Sequence, residues 1–302
     1  MISTSMRRLE VFLAVVESGR FSVAAERLGI TQPSVSAHIA GLERQIRQPL
    51  FLRNPGRTPS LSHAGRSLLV YATEAVRKSR EAASEIRNLC PSGAEELTIA
   101  AQRCIANHLL PPMLTDFMSE HPQVKMTVNS EIQENVIGLV NAGNVDMALF
   151  LGVQRVSGLP SEVVGHQRLA LVVSPTHELA SRQRVTPEEL AKYPFVGGLE
   201  NSNFAKLIDT VLRKIHVSTP KYLIRLQDAT ALTAIARRGA GVHCTPLCNV
   251  QADIEARLLK QLPLTVELPP LQIRLAFNPS KQVSNITYRF AQVLRKKSIW
   301  TH

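Results

Sequence analysis

Residues 21–51, FSVAAERLGITQPSVSAHIAGLERQIRQPLF, constrain the fold of this chain more than any other stretch. Their apolar spacing suits two short helices joined by a tight turn. Val23, Ala24, Ala25 and Leu28 make a stripe at helical intervals, and the paired alanines are small enough to let two helices touch. Gly29 stands where a helix would end on a left-handed residue. Thr31 follows as an N-cap, with Gln32 and Pro33 opening the next helix. Along that helix Val35, Ile39, Leu42 and Ile46 fall on one side, while Gln32, Ser34, Ser36, His38 and Arg44 are polar and point elsewhere. This is the layout of a helix-turn-helix, a motif that lays its second helix in the DNA major groove.

The flanking sequence extends the pattern. Residues 6–18 read as a helix with Leu9, Phe12, Leu13 and Val16 inward. Residues 49–59 place apolar strand positions around a Pro/Gly turn tipped with arginine, which reads as a wing. From Ser62 to Leu89 only Gly65, in the first turn, opposes a helix. Leu61, Leu68, Leu69, Ala72, Ala75, Val76, Ala83, Ile86 and Leu89 recur at three- and four-residue steps. A helix of this length spans about 40 Å, and its narrow apolar stripe calls for a partner helix; lying against the C-terminal part of the chain is the alternative. Residues 90–93, Cys-Pro-Ser-Gly, make a hinge.

Beyond the hinge the chain alternates between strand and helix. Strands at 97–101, 124–132 and 145–151 enclose helices at 105–120 and 135–142, a βαβαβ run that predicts a parallel sheet with helices on its faces. A second unit starts with a strand at 168–173. It continues with strands at 195–198, 222–226 and 242–245 and helices at 204–215 and 228–238. A strand at 271–277 and a last helix at 284–295 return to the first unit, giving two α/β lobes.

Composition narrows the partners. The net charge of +11 favours a polyanion, and residues 1–90 hold 13 Lys/Arg against 7 Asp/Glu, every base but Lys78 an arginine. Arginine suits bidentate contacts to phosphate and guanine. No apolar run is long enough for a transmembrane helix. Glu10 and Glu17 interrupt the N-terminal apolar stretch and no small-residue cleavage site follows, so a cytoplasmic protein is expected. Cys90, Cys104, Cys244 and Cys248 lack the CxxC spacing of zinc or dithiol sites and are expected to be reduced and structural. No HExxH, Walker loop or GxSxG is present, and Gly239-Ala240-Gly241 is too short for a dinucleotide fingerprint. His243 and Cys244 alternate faces on a strand, which argues against a ligand pair. No enzyme activity, cofactor or metal site is expected.

The run Leu9-x-x-Phe12, Phe21-Ser22-x-Ala24-Ala25-x-x-Leu28, Thr31-Gln32-Pro33-Ser34-x-Ser36, Leu42-Glu43 and Pro49-Leu50-Phe51-x-Arg53 resembles the LysR-type transcriptional regulators. Gly239-x-Gly241-Val242-x-x-x-Pro246 matches the same family, so the likeness spans essentially the whole chain. It implies a winged helix-turn-helix DNA-binding domain at 1–61, a dimerising linker helix and hinge at 62–93, and an effector-binding domain at 94–302. The last would have the two-lobed periplasmic-binding-protein-like fold, lobe 1 at about 94–165 and 269–302 and lobe 2 at about 166–268. It also implies a homotetramer built from dimers, double-stranded DNA with an interrupted palindromic operator, and contact with RNA polymerase.

Carried over residue by residue, the resemblance assigns DNA contact to Ser22, Thr31, Gln32, Pro33, Ser34, Ser36, Ala37 and His38. Gln32 suits adenine N6 and N7, and Pro33 a thymine methyl; Ser34 is alternatively a plain first-turn residue. Arg53 and Arg57 would hold the wing on the backbone or in the minor groove. Ala37 departs from the long polar or basic residue common in relatives, which removes one expected contact.

In a two-lobed α/β fold a small molecule sits beyond the carboxyl ends of the strands. Two helix N-termini should face that crevice, one at Gln102, Arg103 and Cys104 and one at Asn201, Ser202 and Asn203. Their free N–H groups suit a small anionic metabolite. Gln133, Glu134, Asn135, Phe150, Leu151, Gly152, Gln227, Asp228 and Thr245 should line the same crevice. The family usually has Ser or Thr where Gln102 and Cys104 stand. Arg103 is then a cationic partner for the ligand or a solvent-facing side chain, and Cys104 a redox-sensing thiol or a small pocket residue. The competing reading of the chain is a two-lobed solute-binding or sensor protein that does not read DNA sequence.

Overall fold

The computed structural model describes residues 4–52, 60–88, 95–153, 158–217, 220–279, 281–296 and 300. The chain divides into two compact units, Met1–Gly93 and Ala94–His302.

In the first unit α1 (Met6–Ser18), α2 (Phe21–Leu28) and α3 (Gln32–Ile46) precede a short antiparallel pair, β1 (Phe51–Leu52) and β2 (Ser60–Leu61), and then α4 (His63–Asn88). Gly29 ends α2 at φ 64° and gives its N–H to the carbonyls of Ala25 and Glu26. Two residues on, the Thr31 side chain accepts from Ser34 N at 3.4 Å and starts α3. The core of the unit is Leu9, Phe12, Val15, Ala24, Ala25, Val35, Ile39 and Leu42, closed by Leu50 and Phe51. Phe51 stacks against Phe12 and Phe21 with ring centroids 5.5 and 5.6 Å away. Glu43 ties this strand to α3, its Oε1 accepting from Leu50 N at 2.7 Å.

Two expectations change here. Val23 is exposed, because on an eight-residue helix the inward stripe runs Phe21, Ala24, Ala25, Leu28 and Val23 falls beside it. The start of α4 also packs on its own unit: Leu68, Ala72 and Val76 are buried in the same core, so this part of the stripe needs no partner helix. On α4, Val70 and Tyr71 remain exposed.

The second unit holds two five-stranded sheets. The first, in the order β4-β3-β5-β12-β6, contains β3 (Glu96–Gln102), β4 (Lys125–Glu131), β5 (Met147–Gly152), β6 (Ser161–Gln167) and β12 (Leu271–Phe277). The second runs β11-β7-β10-β8-β9 and contains β7 (Leu169–Val173), β8 (Phe195–Gly197), β9 (Tyr222–Arg225), β10 (Val242–Pro246) and β11 (Lys260–Gln261). The chain crosses between sheets after Gln167 and returns before Leu271. Both sheets are mixed rather than parallel. The βαβαβ strands pair in parallel, but β12 lies antiparallel to β5 and β6, and β7 antiparallel to β10 and β11. Strands that arrive from the other lobe enter from the opposite end, which reverses their sense.

The helices of the first lobe are α5 (Leu110–Glu120), α6 (Gln133–Asn141) and α11 (Asn285–Leu294). The second lobe carries α7 (Pro187–Leu190), α8 (Asn203–Lys214), α9 (Ala229–Arg237) and α10 (Gln251–Glu255). The helix expected from residue 105 opens instead as a π-helical turn over Ile105–Leu109. Pro111 and Pro112 have no N–H to give the carbonyls a turn earlier, so the regular α-helix starts only around them. Gly241 is explained by close approach: a Cβ there would lie 2.4 Å from the Pro194 carbonyl oxygen.

Candidate functional site

The first candidate surface is the outer side of α3. Gln32, Pro33 and Ala37 are exposed along it, with Ser36 and His38 half-buried beside them. Ser22 on α2 and Thr31 at the turn are exposed as well. The Ser34 hydroxyl is within 2.9 Å of Thr31 Oγ1, so it belongs to the cap of the helix. Arg53 and Arg57 lie outside the described residues. Among the described residues no helix is long and apolar enough to cross a membrane.

The second is a cavity of about 110 Å³ between the two lobes of Ala94–His302. An engineered apolar cavity of about 150 Å³ holds benzene, so this one suits a compact molecule of roughly one ring. Gln102, Arg103, Cys104, Gln133, Ser202, Gln227 and Thr245 line it as expected from the sequence. Glu134 lines it too, inside the expected stretch 133–135; the first lobe adds Glu131, and the second adds Phe195, Val196, Phe204, Tyr222 and Leu232.

Several expected residues stand elsewhere. Phe150 is buried against Val136 and Val140 under α6, and Leu151 points to the opposite core, since neighbours on a strand alternate faces. Leu151 still serves the site through its backbone: its N–H donates to Gln102 Oε1 at 2.9 Å and its carbonyl accepts from Gln133 Nε2 at 2.8 Å. Asn135 is exposed and donates to Glu131. Asn201 is outside the cavity wall, ahead of Ser202, whose hydroxyl caps α8 by accepting from Ala205 N at 3.1 Å. Asn203 contributes its backbone N–H alone, and that N–H donates to Glu134 Oε1 of the other lobe. Asp228 caps α9 and pairs with Arg103 at 3.9 Å across the cleft. Arg103 thus has an internal acid as its partner.

His243 and Cys244 both line the cavity, although they alternate along β10. Burial pushes the Cys244 thiol up to about 12. The Cys104 thiol is also raised, by its contact with Cys248 and then by burial. That is the reverse of the shift toward thiolate that a redox-sensing helix N-terminus would give, and the Cys104 side chain lies buried in the cavity wall. Tyr222 forms another wall, its hydroxyl bonded to Asp209 and its ring under the Arg225 guanidinium at 3.8 Å. Gly197 has to be glycine, because a Cβ would meet the Tyr222 ring at 2.3 Å. Sequence reasoning missed the aromatic wall of Phe195, Phe204 and Tyr222, which carries no motif and comes together only when the second lobe folds.

Residues 6–66 match the bacterial regulatory helix-turn-helix protein family of lysR type, and residues 92–298 match the LysR substrate binding domain. The chain belongs to the LysR family. It is a LysR-type transcriptional regulator, with a DNA-binding helix-turn-helix domain and an effector-binding domain. Members of this family regulate transcription and are not enzymes, and the first match sets aside the reading without a DNA-binding domain. A probable RuBisCO transcriptional regulator of Cyanidioschyzon merolae is 26% identical over 298 residues, covering 95% of this chain and 96% of that protein. An uncharacterized HTH-type transcriptional regulator of Mycobacterium tuberculosis is 29% identical over 278 residues, covering 88% and 86%. Among solved structures, CbnR, a LysR family transcriptional regulator, shares the fold at a TM-score of 0.63 with 21% identity, covering 97% of this chain and 99% of that one. CbnR in complex with its target DNA gives the same TM-score of 0.63 at 20% identity.

Proposed function

We propose that this LysR-type regulator reads an interrupted palindromic operator through α3 and answers to a small anionic effector held between its lobes. Gln32, Pro33, Ser36 and Ala37 face the base edges, with His38 beside them. Ser22, Thr31 and Ser34 fix the entry to the helix, and Arg53 and Arg57 hold the wing on the duplex. Dimers form along α4, where the exposed Val70 and Tyr71 offer apolar area to a second copy. Pairs of dimers make the tetramer that spans two half-sites and contacts RNA polymerase in the cytoplasm.

One observation supports the anionic reading above others. The N-terminus of α8 already receives a carboxylate, that of Glu134, on the Asn203 N–H. This position therefore suits an acid group, as the free N–H groups and dipole of a helix start require. An anionic effector would compete with Glu134 there and with Asp228 at Arg103. Because Glu134 belongs to one lobe and α8 to the other, such competition changes what holds the lobes together.

The test is protection of genomic DNA fragments by the purified protein at fixed salt. A discrete footprint with two half-sites is expected, its length changing when the right carboxylate is added. Gln32→Ala should lose roughly 1–3 kcal/mol of discrimination among operators while nonspecific binding persists. An unchanged ranking of operators by that variant would remove Gln32 from the reading face.

A further inference from the structure

Arg8, in the first turn of α1, lays its guanidinium against the side of α3. At Gly41 the three atoms nearest to an added Cβ are Arg8 Cζ, Nε and Nη2, at 3.1, 3.2 and 3.2 Å. The glycine is buried and the arginine half-buried, so the cation covers bare helix backbone. Neither residue suits its local place. A cation in the first turn of a helix meets the positive end of the dipole, and α1 has no acid there to offset it. A glycine inside a helix is disfavoured more than any residue except proline. Arg7 beside it pairs with Glu10 at 3.4 Å. Among the described residues no acid pairs with Arg8, and no carbonyl accepts from its guanidinium. Two local costs are therefore met by no contact within the protein.

The place of Gly41 on α3 says what could meet this cation. Pro33, Ala37, Ala40 and Arg44 form the exposed stripe of the helix. Gly41 lies roughly 70° round from the middle of that stripe. It thus stands on the flank, between the stripe and the buried side of Val35, Ile39 and Leu42. A helix with its side chains is about 10–12 Å across and the major groove about 12 Å wide. A helix seated in the groove by its exposed stripe therefore has a phosphate backbone along each flank. A group over Gly41 meets phosphate rather than a base edge. Ala37 and Ala40, the exposed neighbours on that side, are short and leave room for the backbone to approach.

We propose that Arg8 is a contact to the DNA backbone: seated on Gly41, its guanidinium grips a phosphate beside the groove that α3 occupies. This rests on the reading of α3 as the DNA-reading helix and adds a residue from α1, outside the helix-turn-helix itself. The planar fork of N–H donors matches phosphate oxygens two at a time. Because the partner is phosphate, the contact fixes the seating of α3 without choosing a sequence. The glycine supplies the seat, since any side chain at position 41 would push the guanidinium outward.

The test measures binding of the full-length protein to a mixed-sequence duplex of about four helical turns, by fluorescence anisotropy over a salt series. Arg8→Met keeps the apolar stem and removes the cation. It should weaken binding to this duplex and to a shuffled one alike, with the melting temperature unchanged. The slope of log K against log salt should shrink by about one unit for each bound DNA-binding domain. Arg8→Lys, which keeps the charge, should retain most of the slope. In the wild-type chain, where no variant has to fold, the duplex should shield Arg8 from phenylglyoxal, read by mass spectrometry. Arg257, exposed in the second unit, should go on reacting. If the wild type binds but Arg8→Met has the same slope, or Arg8 reacts as fast with duplex present, the contact is overturned and α3 remains the reading helix. If the wild type binds neither duplex, the DNA reading itself falls, and the inference with it.

Discussion

The two lobes of the effector-binding domain share one frame and differ in what they bring to the cleft. Read from β4 in the first lobe and from β9 in the second, each sheet has three parallel strands followed by two antiparallel ones. The first lobe supplies Gln102, Arg103, Glu131, Gln133 and Glu134; the second supplies an apolar wall of Phe195, Phe204, Tyr222 and Leu232, with His243 at its base. Strand order is a property of backbone pairing and crossover handedness, which many sequences satisfy. The chemistry of the cleft is carried by the residues just past the strand ends, which the frame leaves free. Equal frames therefore do not imply equal roles: one lobe mostly holds polar groups in place and the other mostly excludes water.

The largest expected effect tests the polar bracing of the first lobe. Asp146 Oδ2 accepts from the Thr98 N–H at 2.8 Å and the Thr98 hydroxyl at 2.7 Å, and its other oxygen pairs with Lys281. Asp146→Ala leaves these donors without a partner in a buried setting and should cost roughly 3–5 kcal/mol in urea unfolding. The nearest counterpart in the second lobe, Asp253 paired with Arg237, should cost less on the same change, because the arginine side chain is 41% exposed and water can replace the acid. Equal losses would break the contrast between the lobes.

Next in size is an acid effect confined to the second lobe. His243 has its folded pKa near 4, below its ordinary 6.5, so the unfolded chain takes up a proton that the native one refuses. Its contribution to stability is intact above pH 6.5 and is lost progressively as pH falls from 6.5 to 4, roughly 3 kcal/mol in all. His243→Phe should lack this part of the acid loss. Matching slopes for the two proteins between pH 6.5 and 4 would show that the ring is not buried neutral.

The smallest effect separates the two helix starts at the cleft. The α8 start has the Ser202 hydroxyl as its cap, whereas α6 begins after Ile132 with no side-chain cap. Ser202→Ala should cost about 1 kcal/mol, read as a fall of a few degrees in melting temperature. Glu134 still meets the Asn203 N–H in that variant, so a much larger loss would mean that Ser202 also supports the inter-lobe contact.

The comparison also marks where sequence reasoning reached. The end of α2 and the start of α3 were legible to the residue because each had a local signal: Gly29 in the left-handed region, Thr31 as a cap, Pro33 in the first turn. Gln102, Gln133 and Thr245 were legible as cleft residues because they follow strands or open helices. Asn135 and Phe150 sit at equally suggestive places yet face away, since one residue of rotation along a helix or strand decides the face. The edge strand β6 escaped notice because it leads out of one lobe and shows no clean alternation.

By itself the sequence determined the helix-turn-helix, the two alternating α/β units and the family, since periodicity, caps and turn residues act over a few neighbouring positions. Only the tertiary structure decided that Glu134 occupies the start of α8, that Asp228 holds Arg103, and that Gln133 and His243 line one cavity. These pairs lie 69, 125 and 110 residues apart in sequence. No local rule links such positions; only the meeting of two separately built lobes gives them a common surface.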